Sequence, residues 1–564
     1  MPKRGWNKAK LVVGICIIAT TMAACYQDDH SNSSSNSNET GHADDGYDEI
    51  SLSRYKPPIV VTMTRETSEG LDDLLSNLPG ETLEDNRWSR LYEQVLGIRV
   101  EYDWTARGEQ YHKKLGVMLA SGKIPDIVKV DAQQLRQLSN AGLIQDLTAA
   151  YETYASQLTK EVHRQEGLGT LASGMLNGKL MGIPETDSSI ERAMYIWMRT
   201  DWLERLALQP PRTMDELLAV SKAFTTLDPD QNGEDDTFGI AISSHLWDPV
   251  MGVTGFMAGY GAYPNLWLDD GNGGLVYGGI QPEVKQALQA LQQLYRSGQL
   301  DNEFMFKNGI KVKQQIAEGQ VGIMYGEQWG SFVVHESRSS NPESEWRAYP
   351  IVSATEDAVK VPLKFSTGKF YAVRKDYEFP EAIIKMFNLH LEKNWGETAE
   401  YETFYNTTQP VWQLSPVTPF PAAKNLDAYR KLEEARRRGD QSILNDEARF
   451  IQKKIDAYMR GAPDRESGWG WEKTYGPNGA MSILDMYEQQ NMLLFEQFVG
   501  APTETMMEKK FILDNLKHDA FVNIMLGNSI DEFDQFVQDW LKLGGHQITT
   551  EVNQWYAERD RSQP

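Results

Sequence analysis

The chain has 564 residues and a formal net charge of −24 at pH 7, with 56 Lys and Arg against 80 Asp and Glu. Such an acidic surface disfavours nucleic acid and anionic lipid surfaces, because both carry negative charge. The length is sufficient for two or more domains. The composition therefore predicts a multidomain globular protein that does not bind nucleic acid.

The N-terminus has the pattern of a secretory signal. Four basic residues precede an apolar or small run over residues 11–24. A helix of that length spans only about 21 Å, against about 30 Å for a hydrocarbon core, so we do not expect it to cross a membrane stably. Residues 22–25 (Met-Ala-Ala-Cys) resemble the bacterial lipobox, in which Cys25 is acylated and becomes the first mature residue. The alternative is an ordinary signal peptide that contains a Cys.

A polar tether follows the lipobox. Residues 26–46 are rich in Ser and Asn and have almost nothing to bury. The other Cys, Cys16, lies inside the apolar run, so the mature chain would hold no internal disulfide. We predict a signal peptide over 1–24, an acylated Cys25 with a flexible tether over 25–56, and a lipid-anchored location on the extracellular face of the cell membrane.

Strands and helices alternate in the first folded segment. β-Branched residues predict a strand over 58–64, a period-two pattern predicts one over 98–103, and residues 126–130 read as a third strand. Apolar spacing predicts helices over 83–95, 106–121 and 132–141. This order predicts a parallel sheet with helices on both faces, and ligands bind beyond the carboxyl ends of such strands. The polar or aromatic residues predicted at those ends are Arg65, Glu66, Asp103, Trp104 and Asp131.

Helix-start signals mark the rest of the chain. Thr213 and Glu216 form a T-x-x-E capping box, and Pro282 opens an amphipathic helix. Ser529 and Glu532 form a second capping box near the C-terminus. The sequence therefore predicts an α/β protein that is rich in helices beyond its first domain.

Five short segments point to a family when they are taken together and in order. They read GKIPDIV (122–128), GKLMGIP (178–184), RTDWLERL (199–206), PRTMDEL (211–217) and LKLGGHQITTEVNQW (541–555). Each is weak alone. Behind a lipobox and tether, they resemble the extracellular solute-binding proteins (family 1) of bacterial ABC sugar importers, in the long lipoprotein branch of Gram-positive bacteria.

The resemblance implies a type II periplasmic-binding-protein-like clamp of two α/β lobes, with helices added at the C-terminus. Carried onto this chain, lobe one covers 57–185 and 356–405, and lobe two covers 186–355 and 406–564. Closure follows ligand binding because a ligand contacts both lobes only in the closed state. The resemblance implies a monomer that hands an oligosaccharide to the membrane subunits of an ABC importer and has no enzymatic activity.

Residues 228–239 (DPDQNGEDDTFG) have the spacing of a calcium-binding loop. The predicted ligands are Asp228, Asp230, Asn232, the carbonyl of Glu234, and Asp236. Gly239 stands where the loop normally has a bidentate Glu, so Thr237 or a water must complete the shell. We predict a structural Ca²⁺; the resemblance points the same way, and the alternative is a solvated acidic turn.

Aromatic side chains are the first candidates for sugar contact among the 15 Trp and 24 Tyr. Indole rings stack on the apolar faces of sugars, whose hydroxyls need a few fixed polar partners. The candidates in predicted loops or at strand ends are Trp104, Trp247, Trp329, Trp469 and Trp471. The polar candidates are Arg65, Glu66, Asp131 and Glu185, for which structural ion pairs are an equal explanation.

Two other functions remain open at this stage. A peptide-binding or sensor-type solute-binding protein would have the same fold. A secreted glycoside hydrolase would also need Trp platforms and paired carboxylates, but no nucleophile elbow, zinc-binding H-E-x-x-H or phosphate loop is present. Uronic-acid ligands are expected if Arg65 or Arg199 faces the cleft.

Overall fold

The computed structural model describes residues 50–165, 169–407, 409–461 and 465–561. Cys25, the signal peptide and the tether up to residue 49 lie outside these ranges. Residues 51–55 were predicted as tether, but Lys385 Nζ donates to the Ser53 carbonyl and Asn388 Nδ2 donates to the Ser51 carbonyl. The folded part therefore begins before residue 57. Within the described ranges, no helix is long and apolar enough to cross a membrane.

The described strands are β1 Ile59–Thr67, β2 Ile98–Arg107, β3 Ile127–Asp131, β4 Met175–Leu176, β5 Lys179–Leu180, β6 Ile183–Pro184, β7 Tyr195–Arg199, β8 Phe238–Ala241, β9 Trp267–Asp269, β10 Leu275–Tyr277, β11 Val321–Gly326, β12 Trp346–Tyr349, β13 Val361–Leu363, β14 Lys369–Val373 and β15 Leu493–Phe495.

The described α-helices are α1 Glu69–Ser76, α2 Arg87–Leu91, α3 Gly108–Ser121, α4 Ala132–Asn140, α5 Thr148–Tyr154, α6 Gln157–Arg164, α7 Gly169–Ser173, α8 Thr200–Arg205, α9 Met214–Thr226, α10 Thr254–Ala258, α11 Pro282–Arg296, α12 Gly309–Ala317, α13 Gly330–Val334, α14 Ser337–Ser340, α15 Ala382–Trp395, α16 Tyr401–Phe404, α17 Lys424–Arg438, α18 Asp446–Met459, α19 Glu466–Tyr475, α20 Ala480–Gln489, α21 Glu504–Met525, α22 Glu532–Trp540 and α23 His546–Arg561.

The predicted parallel sheet is right for its first two strands and wrong for the third. β1 and β2 pair in parallel, with a register shift between Met63 and Thr64. β3 pairs antiparallel with β14, which also pairs with β6. The carboxylate of Asp126, just before β3, accepts from the backbone N–H and hydroxyl of Thr62 at 2.9 and 2.7 Å. A side chain thus links β3 to β1 where a parallel ladder was expected.

Alternation along β14 divides the first core into two layers. Tyr371 and Val373 pack into one hydrophobic cluster, whereas Phe370 and Ala372 pack into another. Successive strand residues point to opposite faces of a sheet. The sheet β3-β14-β6 is therefore covered by apolar side chains on both faces, as the predicted helices on both sides require.

A second sheet, in the order β12-β7-β11-β8, forms the centre of the other core. All residues of β7 and β11 are buried. Strands covered on both faces are apolar throughout and do not alternate. The continuous apolar runs YIWM (195–198) and VGIMYG (321–326) therefore belong in the middle of this sheet.

The helix-start signals were right in two of three places. Thr213 caps α9 by accepting from the Glu216 N–H, and Pro282 is the first residue of α11. The capping box predicted at Ser529 is wrong: Ser529 Oγ accepts from the Asp531 N–H, and α22 begins only at Glu532. The backbone turns at residues 529–532, where the Glu532 N–H donates to the Ser529 carbonyl, and the Ser529 hydroxyl bonds the N–H two residues ahead, as Ser commonly does in turns.

The hydrophobic cores divide the chain into two lobes. Lobe one has clusters built from buried residues of 59–183 and 370–417. Lobe two has one cluster built from residues 190–363 and 426–556. The chain passes between these cores three times, within 183–190, 363–370 and 417–426. Residues on these crossings are well placed to form the walls of a cleft.

Candidate functional site: the interlobe cleft

A cavity of about 1160 Å³ lies beside two of the crossing segments. Its walls include residues 187–192 and 420–425 from the crossings, and residues 247–266, 327–332 and 510–518 from lobe two. The aromatic lining residues are Trp247, Tyr263, Trp329, Phe332, Tyr401, Tyr405, Trp412, Phe420, Trp471 and Tyr475. We call this cavity the cleft. Its size and aromatic lining suit an extended organic ligand.

A buried ionic group forms one wall of the cleft. Lys424 Nζ donates to Glu447 Oε1 at 2.7 Å, and both side chains are almost fully buried. Glu447 also accepts from the Tyr401 hydroxyl at 2.9 Å. Burial alone would disfavour the ammonium, but the neighbouring Glu447 raises the pKa of Lys424 well above its ordinary value. This network fixes polar groups at the base of an otherwise aromatic surface.

Two further carboxyls of the cleft are biased toward the neutral form. Burial raises the pKa of Glu191 to about 8, against the attraction of Lys424. Burial raises the pKa of Glu327 to about 7, although the indole N–H of Trp329 donates to it at 2.8 Å. A protonated carboxyl can donate as well as accept a hydrogen bond. Both oxygens of Glu191 already accept from Asn425, from its backbone N–H and its side-chain amide, so Glu191 also fixes the start of α17 in the wall of the cleft.

Three of the predicted aromatic residues line the cleft. Trp247 packs edge-on against Phe521 and lies under Lys517 Nζ, 5.1 Å from the ring centroid. Trp329 precedes α13, and Trp471 stacks on Tyr475 with 5.8 Å between ring centroids. Ligand contact by these three residues stays a prediction.

Arg65 and Glu66 lie at a separate, smaller cavity of about 350 Å³. The Arg65 guanidinium donates to the carbonyls of Gln413 and Ser415, both at 2.5 Å. Glu66 is half-exposed, with His112 Nε2 at 3.7 Å. The Arg65 side chain therefore holds the 411–417 segment against β1, a structural task that the sequence pattern did not reveal.

The remaining predicted residues have structural partners. Asp131 caps α4 by accepting from the Gln134 N–H, and Trp104 lies within β2 against Tyr111. Glu185 accepts from Lys129 Nζ at 2.5 Å and from the Tyr371 hydroxyl at 2.8 Å. Lys129, despite the opposing effect of burial, lowers the pKa of Glu185. None of Trp104, Asp131 and Glu185 is among the described residues that line the cleft.

Trp469 does not lie in a loop, contrary to the expectation from the sequence. Its neighbouring Gly residues were expected to free it from helix packing, but residues 466–475 form α19. Trp469 is fully buried, stacks on His335 and donates its indole N–H to Glu345. Trp471, two residues on, points to a different side of α19 and reaches the cleft. Helical geometry, which rotates successive side chains by about 100°, separates the two.

Several cleft residues were missed because they fall at the end of the second lobe-one segment (356–405) or in the segment assigned to lobe two with its C-terminal helices (406–564). Tyr405, Trp412 and Phe420 form an aromatic group, with Trp412 and Phe420 edge to face at 5.0 Å. Lys424 is the first residue of α17. The signal for them was the high aromatic density of residues 395–420, interrupted by Pro and Thr in a way that is untypical of a packed helix.

The predicted calcium loop gathers its polar side chains around Asn232. The Asn232 amide donates to Asp230 Oδ2 at 2.9 Å and to Asp236 Oδ1 at 3.2 Å, and Asp228 accepts from the backbone N–H groups of Asn232 and Gly233. The Thr237 hydroxyl donates to the Phe224 carbonyl, which leaves its oxygen lone pairs for a cation. Within the described ranges, no group of three or more His, Cys, Asp or Glu is arranged to hold a metal ion.

The sequence matches known proteins along most of its length. The profile of the bacterial extracellular solute-binding protein family matches residues 90–381, just over half of the chain. Lipoprotein LipO of Bacillus subtilis (strain 168) is 24% identical over 479 residues, covering 82% of this chain and 87% of LipO.

Solved structures agree with the fold. An HMO-binding solute-binding protein associated with an ABC transporter of Bifidobacterium longum infantis aligns over 88% of this chain and 98% of its own, with a TM-score of 0.59 and 15% identity. FusA of S. pneumoniae, solved as an EF-hand mutant with fructo-nystose, aligns over 90% and 100%, with a TM-score of 0.56 and 13% identity. The predicted two-lobed, periplasmic-binding-protein-like fold is thus confirmed.

Proposed function

Because the chain belongs to the bacterial extracellular solute-binding protein family, we propose that it binds an oligosaccharide in the cleft and delivers it to the membrane subunits of an ABC importer. The observation that carries the proposal is the aromatic lining of a cavity of about 1160 Å³ between the lobes. Solved proteins of the same fold are described as binding HMO and fructo-nystose, which supports a sugar ligand here.

The chemistry of the cleft favours an uncharged, hydroxyl-rich ligand. Aromatic faces match the C–H faces of sugar rings, and Glu327, whose pKa burial raises to about 7, matches a hydroxyl group. Arg199, which would have favoured uronic acids, is buried and donates to Asp201 at 2.6 Å. Among the basic groups that line the cleft, Lys424 pairs with Glu447, Arg192 with Asp187 and Lys510 with Asp514, whereas Lys517 donates to Asn265 and the Tyr277 hydroxyl.

The proposal is tested by thermal unfolding of the mature chain against oligosaccharides and peptides. A ligand that binds only the folded state stabilises it by about 2.7 kcal/mol at a hundred times its dissociation constant. We expect one class of oligosaccharide to raise the melting temperature and to be recovered unchanged. A shift with peptides alone would support the peptide-binding alternative, and hydrolysis of the sugar would support the glycosidase alternative.

We also propose that the protein works while anchored to the outer face of the membrane through acylated Cys25. The lipobox-like residues 22–25 and the relative LipO, which is named a lipoprotein, support this. The test is metabolic labelling with a fatty acid in a Gram-positive host. Wild-type chain should carry label and stay with the membrane, whereas Cys25→Ala should be unlabelled; equal membrane retention of both would contradict the anchor.

We further propose that the loop over residues 228–236 holds a structural Ca²⁺. The donors are hard oxygens, as Ca²⁺ requires, and Asp230 Oδ1 is buried without a hydrogen-bond partner in the described structure. The FusA structure described as an EF-hand mutant gives a precedent within the fold. The ion would neutralise the crowding of Asp228, Asp230 and Asp236 and fix the link between α9 and β8.

The calcium proposal is tested by thermal unfolding in EDTA and in millimolar calcium. We expect calcium to raise the melting temperature by several degrees, through binding linked to folding. Asp230→Asn should abolish the response, whereas Asp235→Asn, a matched change at an exposed non-ligand position, should keep it. An unchanged melting temperature with both additions would refute the calcium site.

Finally, we propose that closure rotates the lobes about the three crossings, within 183–190, 363–370 and 417–426. These differ from the boundaries expected from sequence at 185, 355 and 405, because residues 359–363 pack with lobe two and residues 411–417 pack with lobe one. Small-angle scattering should show a smaller radius of gyration in the presence of the oligosaccharide that the thermal-unfolding test identifies than in its absence.

A further inference from the structure

The segment GWGW (468–471) places two Gly residues inside helix α19. Gly is disfavoured inside a helix because it loses more backbone entropy on folding than Ala does, so each Gly there calls for a packing reason. Both Gly468 and Gly470 are buried. Their neighbours show that they serve two different purposes.

Gly468 faces the neighbouring helix α18. A Cβ at position 468 would overlap the carbonyl oxygen of Lys454 and would lie 3.0 Å from the Cβ of Tyr458. The backbone of α18 cannot give way to such a methyl group unless the whole helix moves. Gly468 therefore allows α18 and α19 to pack closely, which is a structural task.

Gly470 faces the wall of the cleft instead. The three atoms nearest to a Cβ at position 470 all belong to the Phe332 ring, with Cδ1 at 2.7 Å and Cε1 at 2.8 Å. Phe332 lines the cleft and is 39% exposed, whereas the other four residues of α13 are buried. A partly exposed ring gives way more easily than a helix backbone does. A side chain at position 470 would therefore displace Phe332 and leave α19 in place.

Helix α19 also fixes the segment that carries Phe332. The hydroxyls of Ser331 and Thr474 lie 2.8 Å apart, and the Thr474 hydroxyl donates to the carbonyl of Gln328, a cleft residue, at 3.3 Å. Trp471 reaches the cleft from α19 and packs edge-on against Phe332, with 5.6 Å between ring centroids. This stretch of the cleft wall is therefore supported by α19.

We propose that Gly470 is a positioning residue for ligand binding: it lets Phe332 lie back against α19 and so keeps the cleft wide enough there for an oligosaccharide. The proposal rests on the function proposed above. A larger residue at position 470 would push the Phe332 ring out of the wall and narrow the cleft, and an overpacked site accommodates its ligand poorly. The helix gains from such a substitution, whereas the binding site loses.

Gly470→Ala and Gly468→Ala form a matched pair, because each adds one methyl group to the same helix. Gly470→Ala should keep or raise the melting temperature, since Ala is the better helix former, and should weaken oligosaccharide binding by about tenfold or more. Gly468→Ala should lower the melting temperature and leave the affinity of the folded protein unchanged. The probes are gluco-, xylo-, manno- and fructo-oligosaccharides, titrated calorimetrically into the mature chain.

A double-mutant cycle with Phe332→Ala identifies the ring as the cause of the lost affinity. In the Phe332→Ala background, Gly470→Ala has no ring to displace and should leave the affinity unchanged. A role of Gly470 in the helix alone would give the same loss in both backgrounds. Crystal structures of the wild-type chain and of Gly470→Ala should show the Phe332 ring displaced from α19 in the variant.

The outcomes separate this inference from the function it rests on. If Gly470→Ala binds the oligosaccharide as tightly as the wild-type chain, or if its effect is the same with and without the Phe332 ring, the inference is wrong. If no oligosaccharide binds the wild-type chain, the proposed function fails, and the two crystal structures decide the inference: a displaced Phe332 ring supports it and an unmoved ring overturns it. A loss of about tenfold that Phe332→Ala abolishes would establish the role of Gly470.

Discussion

The polar edge of lobe one and the aromatic wall of the cleft make an informative contrast. Both were selected from the sequence as ligand-binding surfaces. At the edge of lobe one, Arg65, Asp131 and Glu185 are bonded to carbonyls, to a helix end and to Lys129. At the wall, Trp329 and Trp471 reach the cavity.

The difference teaches which side chains a fold leaves free. A charged group at the end of a strand has many backbone and side-chain partners within reach, and burial without one costs about 1–3 kcal/mol or more. Such a charged group is therefore already bonded within the fold and is not free to bind a ligand. An indole can fill a wall with one edge and leave its face open, so an aromatic residue in the wall of the cleft remains available to a ligand.

The largest expected effect separates two neighbours within the aromatic set. Trp469→Ala removes a fully buried indole and should lower the free energy of unfolding by about 3–5 kcal/mol. Trp471→Ala, at the partly exposed cleft surface, should cost less stability and should weaken sugar binding. Urea unfolding and calorimetry measure the two quantities. If Trp469→Ala and Trp471→Ala lost equal stability and bound the sugar with equal affinity, the distinction between a structural and a ligand-binding Trp would be wrong.

The second effect concerns acid stability in lobe one. His163 is buried, accepts at Nδ1 from the Tyr151 hydroxyl and donates at Nε2 to the Pro184 carbonyl. Burial lowers its pKa to about 4, below the ordinary value of 6.5. As the pH falls below 6.5, the unfolded chain takes up the proton first. Stability should therefore decline, by about 3 kcal/mol in total as the pH reaches about 4.

The matched variants for this pH effect are His163→Gln and His112→Gln. The first should flatten the dependence of unfolding free energy on pH between 6.5 and 4.5, since Gln does not titrate. The second changes an exposed side chain and should leave the dependence unaltered. Identical slopes in the wild-type chain and His163→Gln would show that burial does not hold His163 neutral.

A third effect tests whether the edge of lobe one is structural. Glu185→Leu leaves Lys129, Tyr371 and Thr418 without their carboxylate. We expect a loss of about 2–3 kcal/mol in unfolding free energy, with sugar affinity of the folded protein unchanged. Glu66→Leu, at a half-exposed position, should cost less than about 0.5 kcal/mol. If Glu185→Leu lowered sugar affinity without lowering the free energy of unfolding, Glu185 would be a ligand-binding residue and not a structural one.

The smallest effect is on binding alone. Trp329→Ala should weaken sugar binding by about 5- to 30-fold, equivalent to about 1–2 kcal/mol of stacking free energy. The melting temperature of the ligand-free protein should be nearly unchanged. Trp104→Ala, which removes a Trp on β2 outside the cleft lining, should leave affinity unaltered. Equal affinities for these two variants would argue that the sugar binds elsewhere.

The family and the fold class could be predicted from the sequence, because they depend on local signals that add up along the chain. Motifs such as GKIPDIV (122–128) and RTDWLERL (199–206) keep their order along the chain, and the main strands and helices of the first domain follow period-two and helical spacing. β1, β2, α3 and α9 were each predicted within a few residues for this reason.

Tertiary structure alone decided the strand partners and the composition of the site. The antiparallel place of β3 depends on β14, more than two hundred residues away, and on the Asp126 carboxylate. The cleft collects Glu191, Trp329, Trp412 and Lys424 from distant segments that meet only where the chain crosses between lobes. Local sequence determines which surfaces a segment buries, whereas the partner of each surface is set by packing over the whole molecule.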